Sequence, residues 1–192
     1  MIALLYPVPG ETGGELVNTD RIRSLVIGGG PKSASFVSDK LGGDIKLAIL
    51  VGTAGALAEG LSLGDIVACN KYFLYDGRCI SAHLAPYSLV CRVLEAGGTK
   101  FQIGASVTIL KFHQEVNVDA IIVDGEDFYV AEVLHQKGIP LAVVRIVSDL
   151  EQEKISVDQL MQERVPACGV ILREKFVVPF LRSMGNSNVT LY

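Results

Sequence analysis

The chain has 192 residues, of which 49% are hydrophobic and 20% are charged, and its formal net charge is −4. This composition favours one domain over residues 1–192, and the scattered lysines and arginines exclude the basic stripe that a nucleic-acid partner requires. The N-terminal MIALLYPV lacks the features of a signal peptide, and the longest apolar run, residues 47–58, is too short for a membrane span. We therefore expect a cytoplasmic protein that binds neither nucleic acid nor membranes.

Apolar runs that alternate with helical patterns predict the secondary structure. The predicted strands are Ile2–Tyr6, Ser24–Ile27, Leu47–Val51, Asp65–Ala68 with an extension or hairpin at Lys71–Tyr75, Phe101–Ile109, Ala120–Val123 and Leu141–Val147. The predicted helices are Ala34–Leu41, Tyr87–Ala96, Phe128–Gln136 and Val157–Ser183, the last bent at Pro166 and Pro179. This alternation indicates an α/β fold, a single domain in which helices flank a central mixed β-sheet.

The uninterrupted apolar residues Leu47–Val51 predict a strand that is buried on both faces. We expect it to end in a turn at Gly52 and Thr53, after which small side chains would let backbone amides and the Thr53 hydroxyl approach a ligand. The alternative is a tight turn whose small residues only allow close packing.

Acidic residues follow three of the predicted strands. Glu11 follows the first, where either a pocket or an exposed loop would hold it. Asp124, Glu126 and Asp127 follow a later strand, and stabilisation of the next helix through its dipole explains them as well as a binding site does. Asp149 ends the last strand, where its alternative role is also that of a helix cap.

Two further features are weak signals of chemistry. The loop from Gly28 to Ser33 opens a predicted helix, where free amides and Lys32 could hold an anion, but a plain strand-to-helix turn fits as well. Neither zinc-site nor disulfide spacing is found among the four cysteines, which we expect to be buried thiols: Cys69, Cys79, Cys91 and Cys168.

Three motifs in one order resemble the purine nucleoside phosphorylase and methylthioadenosine/S-adenosylhomocysteine nucleosidase superfamily. Val51–Ala56, with Gly64–Val67 downstream, looks like its GSAGG…VGDIV segment. Val123–Glu126 is similar to its VEMEA motif, and Val144–Asp149 is similar to its VRAISD motif. The resemblance runs from Ile2 to about Leu181 and implies a phosphorylase/hydrolase-like α/β domain.

The resemblance implies a role for each matching position. Thr53 matches the serine that contacts the attacking water or phosphate, and Glu11 lies near the glutamate that activates water in nucleosidases. Glu126 matches the glutamate that binds the ribose hydroxyls, and Asp149 matches the aspartate that protonates or hydrogen-bonds N7 of the purine. Phe112 matches the aromatic residue that stacks near the base. The remaining substrate-binding positions are Gly52, Gly125 and Ser148.

The chain also departs from the family pattern. Gly125 replaces the methionine of VEMEA, Asp124 shortens the preceding glutamate, and the segment between Glu11 and Ser24 is short. Leu50 stands where bacterial hexameric phosphorylases have a phosphate-binding arginine. The substrate is therefore left open by the sequence.

The expected activity is hydrolysis of the N-ribosidic bond of a purine nucleoside, because Leu50 and the arginine-free loop Pro9–Gly14 leave no guanidinium cluster for phosphate. The alternatives are a phosphate-dependent phosphorylase, in which Lys32 and the glycine loop hold the anion, and a non-catalytic nucleoside-binding homologue. The expected partners are a nucleoside with water or phosphate. The resemblance implies no metal and no organic cofactor, and it implies assembly as a homodimer or homohexamer.

Overall fold

The computed structural model describes residues 1–111, 114–151 and 153–185. The strands are β1 (Ile2–Tyr6), β2 (Ile22–Val26), β3 (Leu47–Ala56), β4 (Ile66–Leu74), β5 (Cys79–Ser81), β6 (Phe101–Thr108), β7 (Ile122–Asp124) and β8 (Leu141–Leu150). The helices are α1 (Lys32–Lys40), α2 (Leu84–Ala96), α3 (Asp127–Gln136), α4 (Val157–Gln159), α5 (Val165–Leu172) and α6 (Val178–Ser183), with a short 3-10 helix at Pro9–Thr12. None of the helices in these ranges has the length and hydropathy of a membrane-spanning segment.

The strands form one mixed sheet around β3. β3 pairs in parallel with β1 and β8, and β1 pairs in parallel with β2. β4 lies antiparallel to β8 and β5 and parallel to β6, and β7 joins β6 back to β3. Five strands, β3, β8, β4, β6 and β7, therefore close into a ring that β1 and β2 extend. The predicted α/β fold with a central mixed sheet is confirmed.

Both faces of the sheet are covered by helices. One face packs against α1 and α3, and the other packs against α2, α5 and α6. Successive residues of β3 contribute to opposite layers, since Leu50 packs in the first, and Ile49 and Val51 pack in the second. This arrangement explains why the strand is apolar at every position rather than at alternate ones.

Two strands run further than predicted. β3 does not end at Gly52 and Thr53 but continues to Ala56, and β8 continues through Ser148 and Asp149. Gly52 lies opposite Arg145 in the paired strands, and a register shift after Ala54 brings Gly55 opposite Asp149. The predicted turn is wrong because the glycines make room across the strand pair and do not reverse the chain.

The C-terminal helical segment is continuous from Val157 to Ser183, as predicted, but its geometry changes twice. Wider π turns at Leu160–Arg164 and Arg173–Val177 precede Pro166 and Pro179, respectively. In each case the residue before the proline donates its amide to the carbonyl five residues earlier. The wider turn gives the proline ring the space that an α-helix would deny it.

The cysteines differ in exposure. Cys69 and Cys168 are buried, Cys91 is half-buried, and all four thiols are free. The expectation that Cys79 is buried is wrong, because Cys79 lies on the three-residue edge strand β5, whose first and last residues are exposed.

Candidate active site

A cavity of about 420 Å³ opens where β3, β7 and β8 end beside the 3-10 helix. This volume lies within the range of small-molecule binding sites. The cavity wall includes six of the predicted site residues: Glu11, Thr53, Gly125, Glu126, Ser148 and Asp149. Gly52 is buried beneath the wall, and Phe112 lies outside the residues that the structure describes.

Glu11 is held at this wall by backbone packing and by hydrogen bonds. The 3-10 helix that carries it touches α5 closely, since a Cβ on Gly169 would overlap the carbonyl of Gly10. Glu11 is only 3% exposed, so the loop alternative is wrong. Its Oε1 accepts hydrogen bonds from the amide of Thr53 at 2.6 Å and from the Thr53 hydroxyl at 2.8 Å, and its Oε2 accepts one from the amide of Val8 at 3.0 Å. Three donors therefore fix the direction of this carboxylate.

Arg145 is a site residue that the sequence analysis missed. Its side chain is fully buried, and its Nη2 donates to Glu126 Oε1 at 2.6 Å. Its Nε donates to Asp127 Oδ1 at 3.0 Å, its Nη1 donates to the carbonyl of Thr53 at 3.2 Å, and Nη1 lies 4.0 Å from Glu11 Oε1. We call Glu11, Thr53 and Glu126, with Arg145 buried behind them, the ionic end of the cavity.

The signal for Arg145 was present in the sequence. A guanidinium in the middle of the apolar strand β8 is costly to bury unless carboxylates pair with it. Its partners come from the 3-10 helix near the start of the chain and from the start of α3, the helix that directly precedes β8. The charge could have been recognised as paired, but its partners follow only from the fold.

Gly52 is required by this ionic end. A Cβ built on Gly52 would overlap Arg145 Nη1 and lie 2.7 Å from Glu11 Oε1. Because Gly52 has no side chain, the guanidinium of Arg145 can approach Glu11 on the 3-10 helix.

The three acids at the end of β7 and the start of α3 have two roles: one anchors the helix, and two pair with Arg145. Asp124 Oδ1 accepts hydrogen bonds from the amides of Glu126 and Asp127, both at 2.7 Å, and from the Thr108 hydroxyl at 2.9 Å, so it anchors the start of α3. Oxygens of the three acids lie within 4.8 Å of one another, a spacing that could hold a metal ion. The Arg145 guanidinium already binds Glu126 and Asp127, and it supplies positive charge to this cluster.

Ser148 and Asp149 form what we call the acid end of the cavity. The Ser148 hydroxyl donates to Asp149 Oδ1 at 2.7 Å, and a Cβ on Gly55 would lie 2.8 Å from Asp149 Oδ2. A second cavity of about 390 Å³ adjoins this end and shares Gly55 and Asp149 with the first. The helix-cap alternative for Asp149 is wrong, because the hydroxyl of Ser156 caps α4 by accepting a hydrogen bond from the amide of Gln159.

A family model described as the phosphorylase superfamily matches residues 13–174. The chain belongs to the phosphorylase superfamily. No curated protein sequence matches it.

Several solved structures have a fold similar to that of this chain. The 5′-methylthioadenosine/S-adenosylhomocysteine nucleosidase of Helicobacter pylori is 16% identical, with a TM-score of 0.77 over 96% of this chain and 97% of that one. Futalosine hydrolase from the same organism is 15% identical, with a TM-score of 0.78 over 95% and 97%. The Streptococcus pneumoniae nucleosidase bound to a transition-state inhibitor is 17% identical, with a TM-score of 0.74 over 95% and 99%. At these identities the likeness shows a shared fold alone.

Burial raises the pKa values of two carboxyl groups at this cavity. Burial raises the pKa of Glu11 to about 7, although the nearby guanidinium of Arg145 opposes the shift. Burial also raises the pKa of Glu126, where Arg145 again opposes the shift and Asp127 adds to it. Glu11 therefore exchanges its proton near neutral pH, which is the property that a general base needs.

Proposed function

We propose that this protein is a purine-nucleoside N-glycosidase that cleaves the N-ribosidic bond with water. The observation that carries the proposal is a single cavity with an immobilised carboxylate, Glu11, at one end and an aspartate, Asp149, at the other. Hydrolysis of this bond needs a base for water and an acid for the departing purine, and the two ends can supply one each.

The ionic end would activate water and stabilise the sugar. Glu11 in its ionised form accepts a proton from water as the water oxygen forms a bond to the anomeric carbon. Thr53 directs the Glu11 carboxylate by donating two hydrogen bonds to Oε1. Positive charge develops on the ribose in the transition state. In this proposal the adjacent carboxylate of Glu126 binds the ribose hydroxyls and stabilises that charge.

The acid end would assist the leaving group. The bond between the anomeric carbon and the purine nitrogen breaks with its electron pair moving into the base, and Asp149 donates a proton to N7 of that base. The Ser148 hydroxyl orients the Asp149 carboxyl group through the hydrogen bond to Oδ1. The products are the free purine and the free ribosyl sugar.

Two features favour water over phosphate as the nucleophile. The guanidinium of Arg145 is fully buried and is bound to Glu126, Asp127 and the Thr53 carbonyl, so it does not extend into the cavity towards an anion. Lys32 is exposed and does not line the cavity, although its neighbour Pro31 does. Among the residues that the structure describes, Lys111 is the cation at the cavity wall, and a phosphorylase would bind its anion at this exposed side chain.

We also propose the cellular setting and the assembly. The chain would act as a single nucleoside phosphorylase-like domain over residues 1–192, in the cytoplasm, as a homodimer or homohexamer. The free thiols, including exposed Cys79, suit a reducing compartment. Sedimentation of the purified protein at several concentrations would determine its assembly.

The decisive experiment is incubation with adenosine, inosine, guanosine, methylthioadenosine and futalosine, each with and without phosphate. We expect free base and free sugar at a rate that does not depend on phosphate. Release of a ribose 1-phosphate only when phosphate is present would contradict hydrolysis. Tight nucleoside binding without any product would instead indicate a non-catalytic homologue.

A further inference from the structure

Asp127 is a buried carboxylate that the proposed reaction does not use directly. It is fully buried and is not among the residues that line the cavity. In the comparison with the VEMEA motif, Asp127 stands at the position of the alanine. A residue that does not line the cavity can act on a ligand only through its neighbours. Arg145 is the neighbour that donates two hydrogen bonds to Asp127.

The pairing of Asp127 with Arg145 is side-on. Asp127 Oδ1 accepts hydrogen bonds from both Nε and Nη2 of Arg145, and the Nε distance is 3.0 Å. This contact occupies one edge of the guanidinium and leaves Nη1 to point at the Thr53 carbonyl and towards Glu11. Because the guanidinium is planar, fixing one edge fixes the direction of the other nitrogen.

We propose that Asp127 is a positioning residue that holds Arg145 in the orientation in which one nitrogen binds Glu126 and another faces Thr53 and Glu11. This inference rests on the proposed nucleosidase reaction, in which Glu11 and Glu126 act on water and ribose. Asp127 also affects the ionisation of the neighbouring carboxylates, because it adds a negative charge to a cluster that contains one guanidinium.

The ionisable groups around Asp127 come from several elements. They are Arg145 on β8, Asp124 on β7, Glu126 at the start of α3, Cys69 and Tyr72 on β4, and Glu11 on the 3-10 helix beyond Arg145. If the charge of Asp127 is removed, the positive charge of Arg145 stabilises fewer carboxylates, and less negative charge repels each of them. The remaining carboxylates would then stay ionised to lower pH.

Asp127→Asn tests the proposal, since it keeps the size and one carbonyl oxygen of the side chain but removes its charge. We expect the pKa of Glu126 to fall by about one unit, with a smaller fall for Glu11, and the acidic limb of the kcat/KM profile to move to lower pH. In Asp127→Ala, which loses both hydrogen bonds to Arg145, we expect kcat to fall roughly 10–10²-fold, with a smaller change in KM. An unmoved acidic limb together with an unchanged kcat would overturn the proposal.

Glu132→Gln is the matched control, because it removes a charge from the same helix at a position where the side chain is 41% exposed. Glu132 pairs only with Arg78 at the surface, at 3.5 Å, among the described ion pairs. We expect the pH profile and kcat of this variant to equal those of the wild type. A shift as large as that of Asp127→Asn would mean that any acid on α3 has the same effect, which contradicts a specific role for Asp127.

A readout without turnover separates this proposal from the proposed function. Titration of protein that carries ¹³C-labelled glutamate side chains reports the pKa of Glu11 and Glu126 directly. A shift in Asp127→Asn, combined with no hydrolysis by the wild type, would support the Asp127 role and reject the nucleosidase. No shift would reject the Asp127 role whether or not the wild type hydrolyses nucleosides.

Folding offers a further test if Asp127→Asn does not fold. The triple variant Glu126→Gln/Asp127→Asn/Arg145→Met removes the buried guanidinium together with the charges of both carboxylates that pair with it, so no member of this buried ion-pair group is left without a partner. Recovery of cooperative unfolding in the triple variant would support the positioning role of Asp127. Continued failure to fold would show that Asp127 serves the fold independently of Arg145 and would overturn the proposal.

Discussion

The two ends of the cavity are built differently although they face the same space. At the ionic end, Glu11, Glu126 and Arg145 are buried and are linked across three separate elements. At the acid end, Asp149 is only half-buried, and its carboxylate accepts a hydrogen bond from its own neighbour, Ser148. The ionic end is therefore part of the folded core, whereas the acid end is attached to it. Substitutions at the first should affect stability and rate together, and substitutions at the second should affect rate alone.

The largest expected effect is on turnover at the acid end. Asp149→Asn should lower kcat by roughly 10²–10⁴-fold, because a positioned general acid contributes that much to breaking a bond whose leaving group needs a proton. The melting temperature should change little, since Asp149 caps no helix. Steady-state kinetics and thermal unfolding of the same preparation measure both quantities.

Ser156→Ala is the control for this first prediction. Ser156 is the residue that does cap α4, so its loss should cost about 0.5–2 kcal/mol of stability without changing kcat per folded molecule. The comparison between the two ends fails if Asp149→Asn is destabilised in the same way and retains near-normal turnover.

A large stability effect is expected at the ionic end. Arg145→Met leaves Glu126 and Asp127 buried without their partner, and breaking a buried ion pair from one side costs roughly 3–5 kcal/mol. Urea unfolding should show this loss together with loss of activity. Arg145→Lys keeps the charge but not the forked geometry, so its stability should lie between those of Arg145→Met and the wild type. A wild-type unfolding midpoint in Arg145→Met would show that the ionic end is not part of the stabilising core.

The smallest expected effect is the pH dependence that Glu11 contributes. Its pKa is raised from 4.5 to about 7 in the folded protein. Between these values the unfolded chain ionises Glu11 while the folded protein keeps it protonated, so its contribution to the free energy of unfolding falls as pH rises through this interval. The ionised form is the base, so kcat/KM should decline as pH falls below about 7.

Glu11→Gln should remove both trends. Urea midpoints measured from pH 5 to pH 8 should fall less steeply in this variant than in the wild type. Equal slopes would mean that the carboxylate of Glu11 titrates as it does in the unfolded chain, which would separate Glu11 from the buried ionic end.

Much of this architecture could be predicted because the information is local. The apolar residues of β3 and β8 indicate strands that are buried on both faces, and the motifs around Thr53, Glu126 and Asp149 contain residues that line one cavity. The pairing of Arg145 could not be predicted, because only the folded structure shows that Glu11 and Glu126 lie beside its guanidinium.

The predicted ends of β3 and β8 are wrong for a related reason. Gly52 and Gly55 resemble a turn signal when they are considered alone, yet each lies opposite a charged residue of β8. Their function depends on the register between two strands whose paired residues are about 90 positions apart in the chain. Local sequence patterns do not contain that register.

The division of labour between the two ends is tested most directly by changing the leaving group. Wild type, Asp149→Asn and Glu11→Gln are compared on the best purine nucleoside and on 4-nitrophenyl β-D-ribofuranoside, whose leaving group departs without protonation. We predict that the loss in Asp149→Asn shrinks to about tenfold or less on the activated substrate, while Glu11→Gln stays impaired on both, because water must be activated in either case. Equal losses for both variants on both substrates would contradict the assignment of base and acid to opposite ends of this cavity.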